Sequence, residues 1–229
     1  MMLELIAQSN WTRPIYVALT VGQENYMNLG DNFVQEGLAN RITPFTTNAP
    51  GARNFDTEKV YNNVMNRFKF GGLDKPGLYI DETVMKMCCT HRKLMATLAI
   101  HLALENQPAK AAKVLAYADK MIPAYNVPVN YISGGLDYAQ AYALVGNKVK
   151  AKKMLNAVVN NAKQYIEWYL SLQGDRFMMS EQDCMMQLYI LNKALDTAEL
   201  IDKTEATKIE KSLQILANRY QARGGQIPQ

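Results

Sequence analysis

The chain has 229 residues, of which 48% are hydrophobic and 20% charged, and this composition excludes a mainly disordered protein. Its net charge is +4 at pH 7, and nearly as many acidic as basic residues are mixed along the chain, which argues against nucleic-acid binding. No apolar stretch reaches the roughly 20 residues that a membrane span requires. We therefore expect a soluble chain that folds as one globular domain or two small ones.

The first part of the chain, residues 1–80, predicts a mixed α/β leader. A short helix is expected over Leu3 to Gln8, and the β-rich segment Ile15 to Val21 predicts a strand. Asp31 has the character of an N-cap and predicts a helix, after which Arg41 to Phe45 reads as a second extended segment. The two extended segments are expected to pair as a small two-stranded sheet.

The leader ends with a helix and a turn, and a longer helical region follows it. A helix is expected between Thr57 and Phe68, and the glycine-rich turn Phe70 to Gly77 predicts the end of the leader. Over residues 81–222 the apolar residues recur with a period of 3.6, which predicts helices packed as three hairpins. Residues 223–229 are expected to form a flexible tail.

One hairpin carries the sequence pattern of a tetratricopeptide repeat. Placing Ala111 at the small-residue position of the second helix aligns a complete unit that begins at Arg92. The other signature positions are then occupied by Met95, Leu98, Ala99, Leu102, Leu115, Ala118 and Pro123. A second unit, aligned through Ala151, matches partly, and a third is legible only as helices. The predicted fold class is mainly α, a tetratricopeptide-like helical-hairpin solenoid with a small N-terminal α/β leader.

The residues that often carry chemistry have poor spacing for it. Cys88, Cys89 and Cys184 read as small buried hydrophobic residues, and His91 near Cys88 lacks a second pair of metal ligands. Both histidines, His91 and His101, lie on one core-facing helix, so no pairing with a nucleophile is suggested. The sequence predicts no catalytic residue, no metal and no cofactor, although a small enzyme with an unrecognised site stays an alternative.

Two surfaces have the character of binding sites. The inner face of the hairpins, where repeats of this type hold polypeptides, is predicted to present Lys93, Ile100, Ser133 and Gln140. Four lysines open a predicted helix, where positive charge opposes the helix dipole: Lys148, Lys150, Lys152 and Lys153. A solvated face explains these lysines, and proximity to an anionic membrane surface is the alternative.

Three segments of the chain resemble a known family: Asn10 to Tyr26, Gln35 to Phe45 and Val60 to Leu73. Together they resemble the C-terminal extramembrane region of a large family of multi-spanning bacterial proteins, common in Bacteroidetes and of unknown function. That family is similar to the protein O-mannosyltransferases of the GT-C glycosyltransferase superfamily. Within the leader the matching residues include Trp11, Arg13, Tyr16 and Tyr26, which either knit the leader together or contribute to polypeptide binding.

The resemblance implies an auxiliary role. In the family the catalytic acidic residue belongs to the membrane-embedded part, so the resemblance carries no catalytic residue over to this chain. It implies a non-catalytic domain on the extracytoplasmic, periplasmic side of the inner membrane, which contacts a polypeptide or the membrane domain of its own parent. A free-standing tetratricopeptide-like adaptor protein is the alternative. Any glycosyltransferase activity would belong to the parent protein and not to this domain.

Overall fold

The computed structural model describes residues 2–47 and 54–225, and the chain divides into two compact units between Gly71 and Gly72. The fold is mainly helical with a small N-terminal α/β part, so the predicted fold class is confirmed. The elements of the first unit are α1 (Met2–Ser9), β1 (Tyr16–Ala18), β2 (Phe33–Gln35), β3 (Ala39–Ile42) and α2 (Thr57–Asn66). The second unit contains α3 (Glu82–Leu104), α4 (Pro108–Met121), α5 (Gly135–Leu144), α6 (Lys148–Ser171), α7 (Asp175–Met179), α8 (Glu181–Ile201) and α9 (Lys203–Gln221).

The predicted pairing of the two extended segments is confirmed, since β1 pairs with β3, but the sheet has three strands where two were predicted. Its order is β1-β3-β2 with both pairs antiparallel, and Arg41 in the central strand faces Tyr16 on one side and Val34 on the other. The helix predicted from Asp31 is limited to one 3-10 turn, Gly30–Asn32. The next residues form β2 instead, because pairing with β3 satisfies their backbone groups while the Phe33 side chain is buried.

A tight turn joins β2 to β3 and is held against α2. Gly37 occupies this turn with φ at +144°, a conformation that residues with a side chain rarely adopt. The backbone carbonyl of Glu36 accepts a hydrogen bond from the Asn63 amide of α2 at 2.6 Å. Helix α2 begins where the Asp56 carboxylate accepts from the backbone N–H of Lys59 at 3.0 Å. The turn is thus fixed by contacts distant in sequence.

Three helix pairs make up the second unit: α3 with α4, α5 with α6, and α8 with α9. Local features of the sequence explain where two of these helices start: the Asp81 carboxylate caps α3 through the Val84 N–H at 3.0 Å, and Pro108 is the first residue of α4. The short helix α7 precedes the third pair and was not predicted. None of the described helices combines the length and the apolar character needed to cross a membrane.

Small side chains permit the close helix packing of the first pair. The residues at its predicted repeat positions have no exposed surface: Met95, Leu98, Ala99, Leu102, Ala111, Leu115 and Ala118. At the start of α5, a side chain at Gly134 would place its Cβ only 3.1 Å from the Cα of Lys93. Helices α3 and α5 therefore approach closely there. The tetratricopeptide register itself stays a prediction.

Two residues of the predicted flexible tail, Arg223 and Gly225, contact other residues of the second unit. Arg223, assigned to the predicted flexible tail, donates a hydrogen bond to the Leu170 carbonyl, and its guanidinium lies 4.7 Å from the centre of the Phe177 ring. Gly225 is buried, and its N–H donates to the Tyr220 carbonyl at 3.2 Å. Residues 223–225 are therefore packed, and the rest of that tail, 226–229, lies outside the described residues.

Candidate polypeptide-binding surface

An open groove of about 880 Å³ runs between α8 and α9. Its lining is mostly apolar and consists of Gln182, Met185, Met186, Leu188, Tyr189, Asn192, Leu213 and Ala217. Met186 is 51% exposed and Tyr189 is 47% exposed, so large apolar side chains face solvent there. We call this surface the α8–α9 groove.

The sequence of α8 explains why the groove exists. Cys184, Leu188 and Leu191 lie on the buried side of the helix, which packs against α5 and α6. Met185 and Met186 widen the apolar stripe beyond what that packing covers. Methionine side chains are flexible and polarisable, and they adapt to differently shaped apolar partners. The groove therefore has the chemistry of an adaptable docking surface.

A second cavity, of about 420 Å³, follows the same two helices toward the turn that joins them. Its lining is more polar and consists of Leu195, Glu199, Lys203, Ala206, Thr207 and Glu210. Within the described residues neither of its glutamates forms an ion pair, so this end of the groove has a net negative charge. From Gln182 to Glu199 the surface covers about 26 Å along α8, at 1.5 Å per residue.

Tyr189 connects the groove to residues of the preceding helix pair. It interacts electrostatically with Tyr131, and burial raises the pKa of the Tyr131 hydroxyl. Asp137 lies close to these residues, where burial raises the pKa of its carboxyl while the positive charge of Lys93 partly offsets that effect. Lys93, Tyr131, Asp137 and Tyr189 thus form a polar cluster, the inner-face cluster, which brings together α3, α5 and α8.

The predicted inner-face residues do not all reach the surface. Lys93 is exposed, and Ile100 and Gln140 are half-buried, so these three can contribute to a binding surface. Ser133 is fully buried, and its hydroxyl lies 2.9 Å from the Pro128 carbonyl and accepts a hydrogen bond from the Asn130 N–H at 3.0 Å. Ser133 therefore stabilises the loop before α5 and is removed from the candidate surface. The sequence analysis did not select Met186 and Tyr189 as candidate binding residues. The only signal for them in the sequence is that the apolar stripe of α8 is wider than its packing requires.

The candidate binding residues of the leader also differ in their surroundings. Trp11 is 44% exposed and Arg13 is also exposed. Tyr16 is 47% exposed, but its hydroxyl donates a hydrogen bond to the Glu36 carboxylate at 2.7 Å. The Tyr26 ring lies edge-on to Phe33 with 4.9 Å between ring centres. Tyr16 and Tyr26 thus have packing roles within the first unit, and a binding role for Trp11 and Arg13 stays a prediction.

A buried carboxylate organises the first unit. Glu36 is 4% exposed, and one of its oxygens accepts from Arg41 Nε at 2.5 Å and from Lys59 Nζ at 2.9 Å. Burial raises the pKa of this carboxyl, but hydrogen bonds from Lys59, Arg41 and Tyr16 outweigh burial, and the net effect is a lowered pKa. Glu36 accepts hydrogen bonds from three side chains and is thus a structural centre of the first unit.

Two of the four clustered lysines are engaged in ion pairs. Lys150 lies 2.6 Å from the Asp119 carboxylate, and Lys152 lies 2.8 Å from the Glu205 carboxylate. Lys148 and Lys153 are exposed and form no ion pair with any described residue. A membrane-surface role for the cluster stays a prediction that would rest on these two.

The cysteines are buried free thiols, and burial raises the pKa of Cys184 to about 11, which disfavours the reactive thiolate. His91 lies on the same helix as Cys88 and Cys89, and its Nδ1 is 2.7 Å from the Met87 carbonyl. Among the residues that the structure describes, no group of three or more histidines, cysteines or acidic residues is arranged to hold a metal ion.

A family model described as TMEM260-associated domain 2 matches residues 1–62, about a quarter of the chain. The matched segment contains the sheet, the Glu36 centre and the first part of α2. No curated protein and no solved structure matches the chain. The N-terminal part of this protein is thus similar to a domain associated with a TMEM260-like family, which places the chain in a membrane-protein context.

Proposed function

We propose that this chain is a non-catalytic accessory domain of a membrane protein and that it binds an amphipathic helix of a partner polypeptide in the α8–α9 groove. The proposal rests on the groove itself, where the adjacent helices α8 and α9 present apolar side chains to solvent. Helix-in-groove binding uses such a surface, with anchor residues on one face of the incoming helix.

The charge pattern along the groove defines the partner. The end near Met185 is apolar, and the end near Glu210 is acidic, so a matching helix has an apolar stripe and basic residues at one end. Tyr189 and the other residues of the inner-face cluster supply hydrogen-bonding groups at the rim of the groove. Because a single groove is smaller than a standard protein interface, we expect a dissociation constant in the micromolar range or weaker.

The wider context rests on two observations from different sources. The match to TMEM260-associated domain 2 supports a membrane-protein parent. The resemblance to the extramembrane region of GT-C-like multi-spanning proteins further supports a glycosyltransferase-like parent, with this domain on its extracytoplasmic side. In such a parent, tethering would raise the effective concentration of a weakly bound polypeptide beside the membrane domain.

The proposal is tested by amide-shift mapping of the whole chain with a synthetic 18-residue helix that carries a leucine stripe and three terminal lysines. We expect shifts concentrated in α8 and α9. The control peptide has the same composition in scrambled order, which removes the stripe while keeping charge and apolar content constant. Equal shifts with both peptides, or shifts confined to other helices, would contradict the proposal.

A matched pair of variants locates the site. Met186→Glu places a charge in the groove, and Met179→Glu places the same charge on an 85% exposed methionine of α7 that does not line it. Both positions are exposed, so both variants should fold. We expect Met186→Glu to weaken peptide binding about tenfold or more and Met179→Glu to leave it unchanged. Concentration-dependent sedimentation without peptide identifies pairing of two copies through the groove, which would also overturn the proposal.

A further inference from the structure

A separate cavity of about 310 Å³ lies between the first and second helix pairs. Its lining combines apolar and charged side chains: Arg92, Asp119, Ile122, Pro123, Ala124, Tyr125, Val129, Tyr138, Lys150, Lys153 and Met154. The connection from α4 to α5 is long here, and it forms one wall of the cavity through Pro123 to Val129. The volume is at the lower end of the roughly 300 to 1,000 Å³ range of small-molecule sites.

A buried positive charge forms the floor of this cavity. Arg92 is 2% exposed, and its guanidinium donates to the carbonyls of Ile122 at 2.7 Å, Val127 at 2.6 Å and Pro128 at 2.9 Å. These partners are neutral, and no carboxylate among the described residues forms an ion pair with Arg92. Its charge is therefore stabilised by dipoles but not neutralised.

A buried hydroxyl lines the same cavity. Tyr138 is 2% exposed, and its hydroxyl has no hydrogen-bond partner among the described residues. Buried hydroxyl groups in proteins are nearly always hydrogen bonded, because an unmade bond costs free energy. Tyr138 also interacts electrostatically with both Arg92 and Asp119. An unused donor therefore lies beside the charged residues of the cavity.

The charges that line the cavity do not balance. Asp119 is its one lining carboxylate, and it is already engaged by Lys150 at 2.6 Å and by the Tyr142 hydroxyl at 2.6 Å. Three cationic residues line the site, so the lining has an excess of two positive charges. Lys153 forms no ion pair with any described residue. Two side chains of the lining, Tyr138 on α5 and Lys153 on α6, therefore have donors that no described residue accepts from.

We infer that this cavity binds a small organic carboxylate with an apolar body. A carboxylate can accept hydrogen bonds from both Tyr138 and Lys153, and the excess positive charge favours an anion. The walls formed by Ile122, Val129 and Met154 would cover the apolar body. A phosphate is best bound by a guanidinium that offers a pair of donors, whereas the Arg92 guanidinium donates to three backbone carbonyls.

The inference is tested by calorimetric titration of the whole chain with 4-phenylbutyrate, and with the neutral 4-phenylbutyramide as the matched ligand. Saturable binding of the acid is expected, with binding of the amide weaker by about tenfold or more, because only the acid forms charge-assisted hydrogen bonds. Equal affinity for acid and amide, or no binding of either, would overturn the inference. Displacement of the acid by inorganic phosphate would also overturn it, since the site would then recognise a phosphate.

Three variants assign the site to these residues. Tyr138→Phe removes the unpartnered hydroxyl, so it should weaken binding of the acid about tenfold while the thermal midpoint stays unchanged or rises. Lys153→Met removes the unpaired charge and should weaken binding to a similar extent. Lys148→Met, in the first turn of the same helix but outside the cavity lining, should leave binding unchanged. Binding that Tyr138→Phe and Lys153→Met leave intact would refute the assignment.

Discussion

Glu36 in the first unit and Arg92 in the second are both buried charged residues, and their charges are stabilised in different ways. Glu36 in the first unit is bonded by charged and hydroxyl donors from three elements: β1, β3 and α2. Arg92 in the second unit is bonded by backbone carbonyls of one connection, the loop between α4 and α5. The carboxylate therefore fixes the relative positions of secondary-structure elements, whereas the guanidinium fixes the path of an irregular segment.

The largest effect is expected for Arg92→Met. This change removes the buried hydrogen bonds that the Arg92 guanidinium donates to the carbonyls of Ile122 and Val127. A buried carbonyl left without a hydrogen bond costs about 1–3 kcal/mol. We expect the free energy of unfolding in guanidinium chloride to fall by about 3 kcal/mol. Lys86→Met on the same helix removes only a solvent-exposed ion pair with Glu82 and should leave the free energy of unfolding nearly unchanged. Similar losses for both variants would mean that Arg92 is not a structural centre.

A smaller loss is expected for Glu36→Gln. The amide keeps the shape of the side chain but loses the charge that Arg41 and Lys59 face, and both cations are partly exposed and can be rehydrated. We expect the first unit to lose about 2 kcal/mol, because hydrogen bonds to a charged group contribute about 1.5–3 kcal/mol. Hydrogen-exchange protection of residues 33–42 measures this locally. Asp31→Asn, at an exposed position of the same unit, is the control and should leave that protection unchanged.

The two centres should also differ in their response to acid. The pKa of Glu36 in the folded protein lies below its ordinary value of 4.5, so its contribution is complete above pH 4.5 and is lost as the pH falls through the folded pKa. The carbonyl partners of Arg92 do not titrate. Protection factors of residues 33–42, corrected for intrinsic exchange, should therefore fall below pH 4.5 in the natural sequence and fall less in Glu36→Gln. Parallel pH curves for the two proteins would contradict this account.

The smallest effect is expected for Lys59→Met. Its ammonium is one of three donors to Glu36 and its side chain is 49% exposed, so Arg41 and Tyr16 still bond the carboxylate after the change. We expect a loss of about 0.5–1 kcal/mol from thermal unfolding of the first unit. A loss as large as that of Glu36→Gln would show that Lys59 alone neutralises the buried charge.

The sequence predicted the second unit better than the first. In α3 and α4 the apolar period and the signals at Asp81 and Pro108 act within a few residues of one another, so local reasoning was sufficient. In the leader the strand Phe33–Gln35 was mistaken for helix, because a three-residue strand has almost no periodicity and depends on a partner strand for its hydrogen bonds.

A second local signal was overridden by its neighbours. Ser180 and Asp183 match a capping box, but the Ser180 side chain makes no cap hydrogen bond and donates instead to the Arg176 carbonyl at 2.9 Å. Helix α7, which was not predicted, supplies that carbonyl. The capping-box pattern therefore marks the start of α8 at Glu181 but not the bond that the Ser180 hydroxyl makes.

The sequence by itself determined which segments of the second unit become helices and which of their faces are buried, because helix formation and amphipathic period act over neighbouring turns. The tertiary structure alone decided where charges and open surfaces lie. Three features depend on residues that are distant in sequence or on how closely helices pack. They are the burial of Ser133, the ion pair of Lys150 with Asp119, and the lack of a described hydrogen-bond partner for the Tyr138 hydroxyl. No spacing in the chain encodes such contacts, since each one requires the position of a second element.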